Sequence, residues 1–254
     1  IIIMISRDLA VNISNKFHKG KVIVLIGPRQ VGKTTLINTI LKDKPYLFLD
    51  GDDNSVTDLL SNANTEQLRS IIGDYNYVFI DDVQRIPNIG LKLKIMVDQF
   101  KDVQVIVSGS SAFDINHITQ EPLTGRKFEY NMFPISWNEF QNAVGYIKAQ
   151  QQLEIRLTYG MYPDVINNFG NEYEILKNLV SSYLYKDILA LAGIRKSEVL
   201  EKILQALAFQ VGSEVSYNEI AQLVGVDKNT VSNYIDLLEK SYVIFRLNSF
   251  SKNL

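Results

Sequence analysis

Gly27-Pro28-Arg29-Gln30-Val31-Gly32-Lys33-Thr34 matches G-x-x-x-x-G-K-[ST] at every position. It follows the apolar run 21–26 and leads into a helix-forming stretch that continues through Thr35. A strand before the motif and a helix after it are the setting in which such a loop cradles phosphate. Glycines let backbone N–H groups close around phosphate oxygens, while the first turn of a helix presents unpaired donors and the positive end of its dipole. In that setting Lys33 reaches the β- and γ-phosphates as a point charge, and the Thr34 hydroxyl takes one position on Mg²⁺. Gly27, Pro28, Arg29, Gln30, Val31, Gly32, Lys33, Thr34 and Thr35 are therefore read as a nucleotide-binding loop, with ATP and Mg²⁺ as expected ligands.

Outward from this loop the chain alternates strand-like and helix-like segments, the pattern of an α/β sheet with helices on its faces. Short apolar runs at 22–26, 46–49, 77–80 and 103–107 read as buried parallel strands. Residues 127–132 alternate more and are expected at a sheet edge. Helical spacing falls at 34–41, 66–72 and 91–100, and Ser136-Trp137-Asn138-Glu139 has the form of a capping box opening the next helix. Beyond about residue 145 the strand signals give way to helical spacing at 146–157, 172–191 and 198–211. The expected organisation is an ATPase core over 1–145, a helical lid or linker over 146–211 and a winged helix-turn-helix over 212–254.

Composition narrows the chemistry. The 254 residues hold 26 Lys and Arg against 28 Asp and Glu, with two His and no Cys. The absence of Cys excludes disulfide scaffolds, thiolate metal sites and Cys nucleophiles. A formal charge of −2 argues against a polyanion-binding sleeve, although a local basic patch remains compatible with it. The opening Ile1-Ile2-Ile3-Met4-Ile5 is far shorter than the roughly 20 residues of a membrane span. It also lacks the features of a signal peptide, so a cytoplasmic protein with no membrane partner is expected.

A second motif refines the first. Tyr77-Val78-Phe79-Ile80-Asp81-Asp82 is a buried strand ending in two carboxylates, the Walker B arrangement. Ligands of α/β sheets gather at the carboxyl ends of the strands. Asp81 is assigned to the metal there and Asp82 to the attacking water. Val105-Ile106-Val107-Ser108-Gly109-Ser110-Ser111 is another apolar strand ending in hydroxyls, and Ser108 is the candidate to position water or sense the γ-phosphate. Arg126, just before the fifth strand, is a candidate arginine finger acting in its own chain or on a neighbour in a homo-oligomer.

Together, Gly27–Thr35, Phe79-Ile80-Asp81-Asp82-Val83-Gln84, 107–111 and Leu123-Thr124-Gly125-Arg126 resemble the AAA-family P-loop ATPases of bacteria and archaea often called archaeal-type ATPases. Segments 133–140, 159–164 and 185–189 resemble that family too, so the likeness runs from about Arg7 to the end. The resemblance implies a sheet in AAA+ strand order, with the Ser108 strand between the other two motif strands. It also implies a sensor role for Ser108 and a finger role for Arg126. Two departures stand out. The family usually carries Glu where this chain has Asp82, and losing one methylene retracts the base by about 1.5 Å. Misplacement of about 1 Å can cost on the order of 10²-fold, so slow hydrolysis is expected. Relatives also continue past the region of 245–254 into a domain of unknown function related to restriction-endonuclease folds. No lysine here has an acidic residue two positions before it, so no nuclease centre of that type is encoded, and a truncated or shortened member is expected.

Residues 216–224, the turn Gly225-Val226-Asp227 and 228–240 have helix-turn-helix form, with a strand at 242–247 expected to begin a wing. The second helix would offer Lys228, Asn229, Thr230 and Asn233 to a DNA major groove. Against this, residues 213–254 hold four bases (Lys228, Lys240, Arg246, Lys252) and five acids (Glu214, Glu219, Asp227, Asp236, Glu239). Such a module neutralises phosphate poorly. The expectation from sequence is a Mg-ATP-hydrolysing AAA+-type ATPase that couples nucleotide state to the C-terminal module, acting on DNA or an associated effector. The alternative is a slow or non-hydrolysing switch whose nucleotide state sets DNA or protein binding.

Overall fold

The computed structural model describes residues 4–110, 122–183 and 197–247. Five strands form a single sheet: β1 (Val22–Ile26), β2 (Leu47–Asp50), β3 (Tyr77–Asp81), β4 (Gln104–Gly109) and β5 (Lys127–Asn131). Their order is β2-β3-β4-β1-β5, and every neighbouring pair is parallel. The Ser108 strand thus lies between the phosphate-loop strand and the Asp81 strand, as the resemblance implied. Burial explains the order. All five residues of β1 are fully buried, and β4 is buried along its whole length. An unbroken apolar run fits only where helices cover both faces. β2 and β5 are partly exposed and close the two edges.

Helices α1 (Leu9–Ser14) and α2 (Lys33–Leu41) cover one face, where Ile13, Leu36, Ile37 and Leu41 pack with Ile23, Leu25, Phe79 and Ile106. Helices α3 (Asn54–Asn62), α4 (Thr65–Ile72) and α5 (Ile89–Gln99) pack together, with α5 against β4. Neither α1 nor α3 stands out in the sequence: α1 spans 6 residues and α3 starts on a local Asp53 cap. The capping box expected at Ser136 is present, each partner bonding the other's backbone N–H, and it opens α6 (Trp137–Val144). With α7 (Tyr146–Tyr159) and α8 (Pro163–Asn167) this helix encloses a small core of Ile135, Phe140, Ala149 and Ile166.

The chain divides into two compact units, Ile1–Ile175 and Leu176–Leu254. Helix α9 (Glu172–Tyr183) crosses that division, and the remainder of the helix expected to residue 191 lies outside the described residues, as do Ser111 and the 185–189 segment. In the second unit α10 (Ser197–Ala208), α11 (Tyr217–Val224) and α12 (Lys228–Lys240) bury Leu200, Ile203, Ile220, Val231, Ile235 and Leu238 together. The helix pair expected from sequence is therefore formed, but the strand expected at 242–247 is absent among the described residues. Its place is taken by a helix terminus. Tyr242, at φ 59°, donates its N–H to Glu239, and the Val243 N–H reaches back to the Leu238 carbonyl. This is the hydrogen-bond pair of a Schellman motif, which folds Val243 and Ile244 onto the three-helix core. An extended segment without a ladder partner gains less than that packing.

Two glycines permit backbones to touch beside the site. A Cβ on Gly27 would fall 2.1 Å from the Met132 carbonyl oxygen, and one on Gly51 would fall 2.4 Å from that of Asp82. Gly51→Ala must therefore push the β2 and β3 ends apart. It is expected to destabilise the chain by about 1–3 kcal/mol in urea unfolding, and a change below about 0.5 kcal/mol would show that this contact yields freely.

Candidate functional site

The parallel register gathers the predicted residues at one end of the sheet. Ile26 stands opposite Gly109, Ile80 opposite Val107 and Asp50 opposite Asp81. The loop after β1, the carboxylates ending β3 and the hydroxyls ending β4 thus emerge side by side. Lys33, Thr34, Asp81, Asp82 and Ser108 are brought together there.

Lys33 is buried, and its ammonium donates to the Gly27 and Pro28 carbonyls at 2.9 and 2.8 Å. Burial pulls its pKa from 10.5 down to about 8. The charges of Asp82 and then Asp81 oppose that fall, whereas Arg29 adds to it. A cation with little water around it, bordered by a helix N-terminus and backbone donors, suits a polyanion.

Asp81 joins three elements. Thr34 Oγ1 donates to its Oδ2 at 2.5 Å, Ser108 Oγ donates to its Oδ1, and the Asp82 backbone N–H donates to Oδ1 at 3.1 Å. Thr34 and Asp81 thus present a hydroxyl and a carboxylate to one point, the hard-oxygen set that suits Mg²⁺ alongside phosphate oxygens. Asp82 has φ 45° and ψ 45°, left-handed backbone that turns the chain out of β3 into a single 3₁₀ turn, Val83–Arg85. Its Oδ1 accepts from Gln84 Nε2 at 2.9 Å.

Arg126 lies elsewhere. Its carbonyl accepts the Val22 N–H at 2.9 Å, and Lys127 pairs with Val22, so it sits at the start of β1 while the phosphate loop sits at the end. Four steps of about 3.3 Å separate those ends, roughly 13 Å along the sheet. The guanidinium turns to Asp98 at 2.8 Å, and that hydrogen bond holds the Asp98 carboxyl below the usual carboxylate range. The strand register therefore places Arg126 at the end of β1 opposite to the phosphate loop of its own chain.

Two residues near the site were not assigned roles from sequence. Arg7 donates to the Val31 carbonyl within the phosphate loop at 2.9 Å and to the Phe133 carbonyl at 2.5 Å, while its Nε pairs with Glu139 at 3.2 Å. Glu139 is the capping-box acid of α6, so one guanidinium ties the N-terminal segment, the loop and that helix together. Gln84 is the second. The capping box hinted at Glu139, but nothing in local spacing pairs it with a residue 132 positions away.

In the second unit Lys228, Asn229 and Asn233 are exposed on α12. Thr230 is engaged by the N-cap Asp227, whose carboxylate accepts its N–H at 2.9 Å and its hydroxyl at 2.5 Å. Arg246 is paired with Asp236 and Glu239 at 3.0 and 3.1 Å. Among the described residues no helix is long and apolar enough to cross a membrane.

Residues 19–141 match the family model of an AAA domain, and residues 150–254 match that of a domain of unknown function. An uncharacterised protein of Methanocaldococcus jannaschii is 22% identical over 98% of this chain and 60% of its own length. One of Mycobacterium tuberculosis is 25% identical over 98% of this chain and 54% of its own. The chain thus spans little more than half the length of these relatives. Among solved structures, a Walker-type ATPase of Pyrococcus abyssi superposes with a TM-score of 0.66 at 15% identity, covering 94% of this chain and 90% of that one. The likeness is one of fold, and the fold is that of a P-loop ATPase.

The lysine makes a prediction with a definite sign. Between pH 8 and 10.5 the unfolded chain binds more protons at this position than the folded one, so the stability contributed here rises with pH across that window. Below it the full cost of the buried charge is present, on the order of 3 kcal/mol. Lys33→Met should flatten that rise and leave the ligand-free chain at least as stable as wild type near pH 7. The check is urea unfolding at pH 7 and pH 10.

Proposed function

We propose that this chain, with its P-loop ATPase fold and AAA domain, binds Mg-ATP and hydrolyses it slowly. The observation that carries the reading is the convergence of Lys33, Thr34, Asp81 and Asp82 at the carboxyl end of the sheet, with the lysine buried against the loop carbonyls. The phosphates would displace those carbonyls as the partners of Lys33, while the N–H groups of residues 27–35 close on their oxygens. Thr34 and Asp81 would hold Mg²⁺, which when bound neutralises phosphate charge. Asp82 would accept a proton from water as the water oxygen bonds to the γ-phosphorus. The bond from that phosphorus to the β–γ bridging oxygen breaks, and its electron pair leaves with ADP. Ser108, already bonded to Asp81, would sit between carboxylate and γ-phosphate and report the change.

The position of Arg126 supports a role only towards a neighbouring copy, where release from Asp98 would free it to reach a γ-phosphate. For the second unit, the acidic N-cap of α12 and the neutralised Arg246 support coupling of nucleotide state to a protein partner over DNA contact through Lys228, Asn229, Thr230 and Asn233. Asp82, standing where the ATPases that the sequence resembles usually carry Glu, favours a second reading, in which bound ATP is the signal and turnover is incidental.

Thermal shift separates binding from chemistry. Mg-ATP at about 100 times its dissociation constant should add roughly 2.7 kcal/mol to wild type, nearly nothing to Lys33→Ala, and the wild-type amount to Asp82→Asn. No shift in wild type would end the nucleotide reading. Turnover per protomer should fall at least 10²-fold in Asp82→Asn. It should also rise with protein concentration in wild type and lose that rise in Arg126→Ala. A rate independent of concentration and of Arg126 would mean that each protomer works alone.

A further inference from the structure

Gln84 lies outside the nucleotide motifs as assigned, yet it is the side chain that holds Asp82. Its Nε2 donates to Asp82 Oδ1 at 2.9 Å and reaches Ser110 Oγ at 3.4 Å. A carboxylate only accepts, so the amide must face it nitrogen first. Oε1 is left buried with no hydrogen-bond partner. A buried acceptor left open calls for an explanation, and one is that the place of the donor matters more than the satisfaction of the acceptor. The two carboxylates are then referred to one end of the sheet: Asp81 to β4 through Ser108, and Asp82, through Gln84, to Ser110 just past the end of β4. Asp82 needs such a reference. It stands in a left-handed turn beyond the end of β3, and among the described residues its carboxylate has no other hydrogen-bond partner.

We propose that Gln84 is a positioning residue for hydrolysis, aiming the Asp82 carboxylate at the attacking water from the turn that follows β4. The inference rests on the hydrolytic reading of the site. A base about 1 Å out of place costs on the order of 10²-fold, so the direction in which Asp82 points decides the rate.

A double-mutant cycle on kcat and KM tests it. Gln84→Met should lower kcat about 10- to 100-fold and leave KM for ATP within about twofold, since removing the aim of Asp82 does not touch the phosphate loop. In an Asp82→Asn background the same change should cost nothing further, because residues acting as a unit are not additive. Gln84→Glu, close in size, replaces the needed donor by an acceptor and should match or exceed the loss. Wild-type kcat in both Gln84 variants would overturn the role, as would an equal loss in the two backgrounds. Loss of the ATP-dependent thermal shift in both variants would also overturn it, marking Gln84 as structural. A wild-type chain that binds ATP without hydrolysing it removes the hydrolytic reading and this one together. A hydrolysing wild type with indifferent Gln84 variants removes this one alone.

Discussion

The carboxylate of Asp81 is the point on which the site depends. It accepts from Thr34 on α2, from Ser108 on β4 and from the backbone of Asp82. These donors come from different elements, and the parallel register brings them within reach. An anion at the end of a buried strand would be costly alone; two hydroxyls and a backbone N–H offset its desolvation. The arrangement also locks the helix that carries the lysine to the strand that carries the acids. Any shift of α2 against β3 must break a short charge-assisted bond.

Lys33 shows the same logic with the opposite sign. Burial makes its ammonium uncomfortable, and the two carboxylates and two loop carbonyls relieve that only in part. A site that holds a cation short of compensation is matched to an anion with several oxygens. Low local dielectric raises both the cost of the lone cation and the gain from pairing it with an anion.

Away from the sheet end, connections run outward from the loop. Arg7 bonds the Val31 carbonyl and the α6 acid Glu139 with one guanidinium, so the loop, the N-terminal segment and the first helix beyond the sheet share one side chain. Its planar fork suits this work, because separate N–H groups face separate acceptors at fixed angles. Arg126, in contrast, faces away from the loop of its own chain and is held by Asp98. The two arginines stand at different distances from the chemistry for a topological reason. One precedes the sheet and folds across its carboxyl end, and the other enters β5 from the amino end.

Much of this was legible in the residues. The phosphate loop, the paired carboxylates, the strand of Ser108 and the capping box at Ser136 are local patterns, and local geometry sets them at the ends of the elements that carry them. The edge character of β5 followed from its alternation, and the α11–α12 pair from its spacing and its Gly225 turn. What the sequence could not convey is closure over long separations. The bond from Thr34 to Asp81 spans 47 positions and that from Arg7 to Glu139 spans 132, and each exists because the packed fold sets which segments meet. The grip of Gln84 on Asp82 is nearer in sequence but turns on a left-handed residue that no composition signals. The strand expected at 242–247 is absent among the described residues for a related reason: a strand needs a partner, whereas Tyr242 and Val243 close a helix terminus and Val243 and Ile244 pack on the apolar core. Residue types and spacing determined which chemistry the chain can offer; the tertiary structure decided which groups meet, because hydrogen bonds and charges act over a few ångströms and only the packed sheet sets those distances.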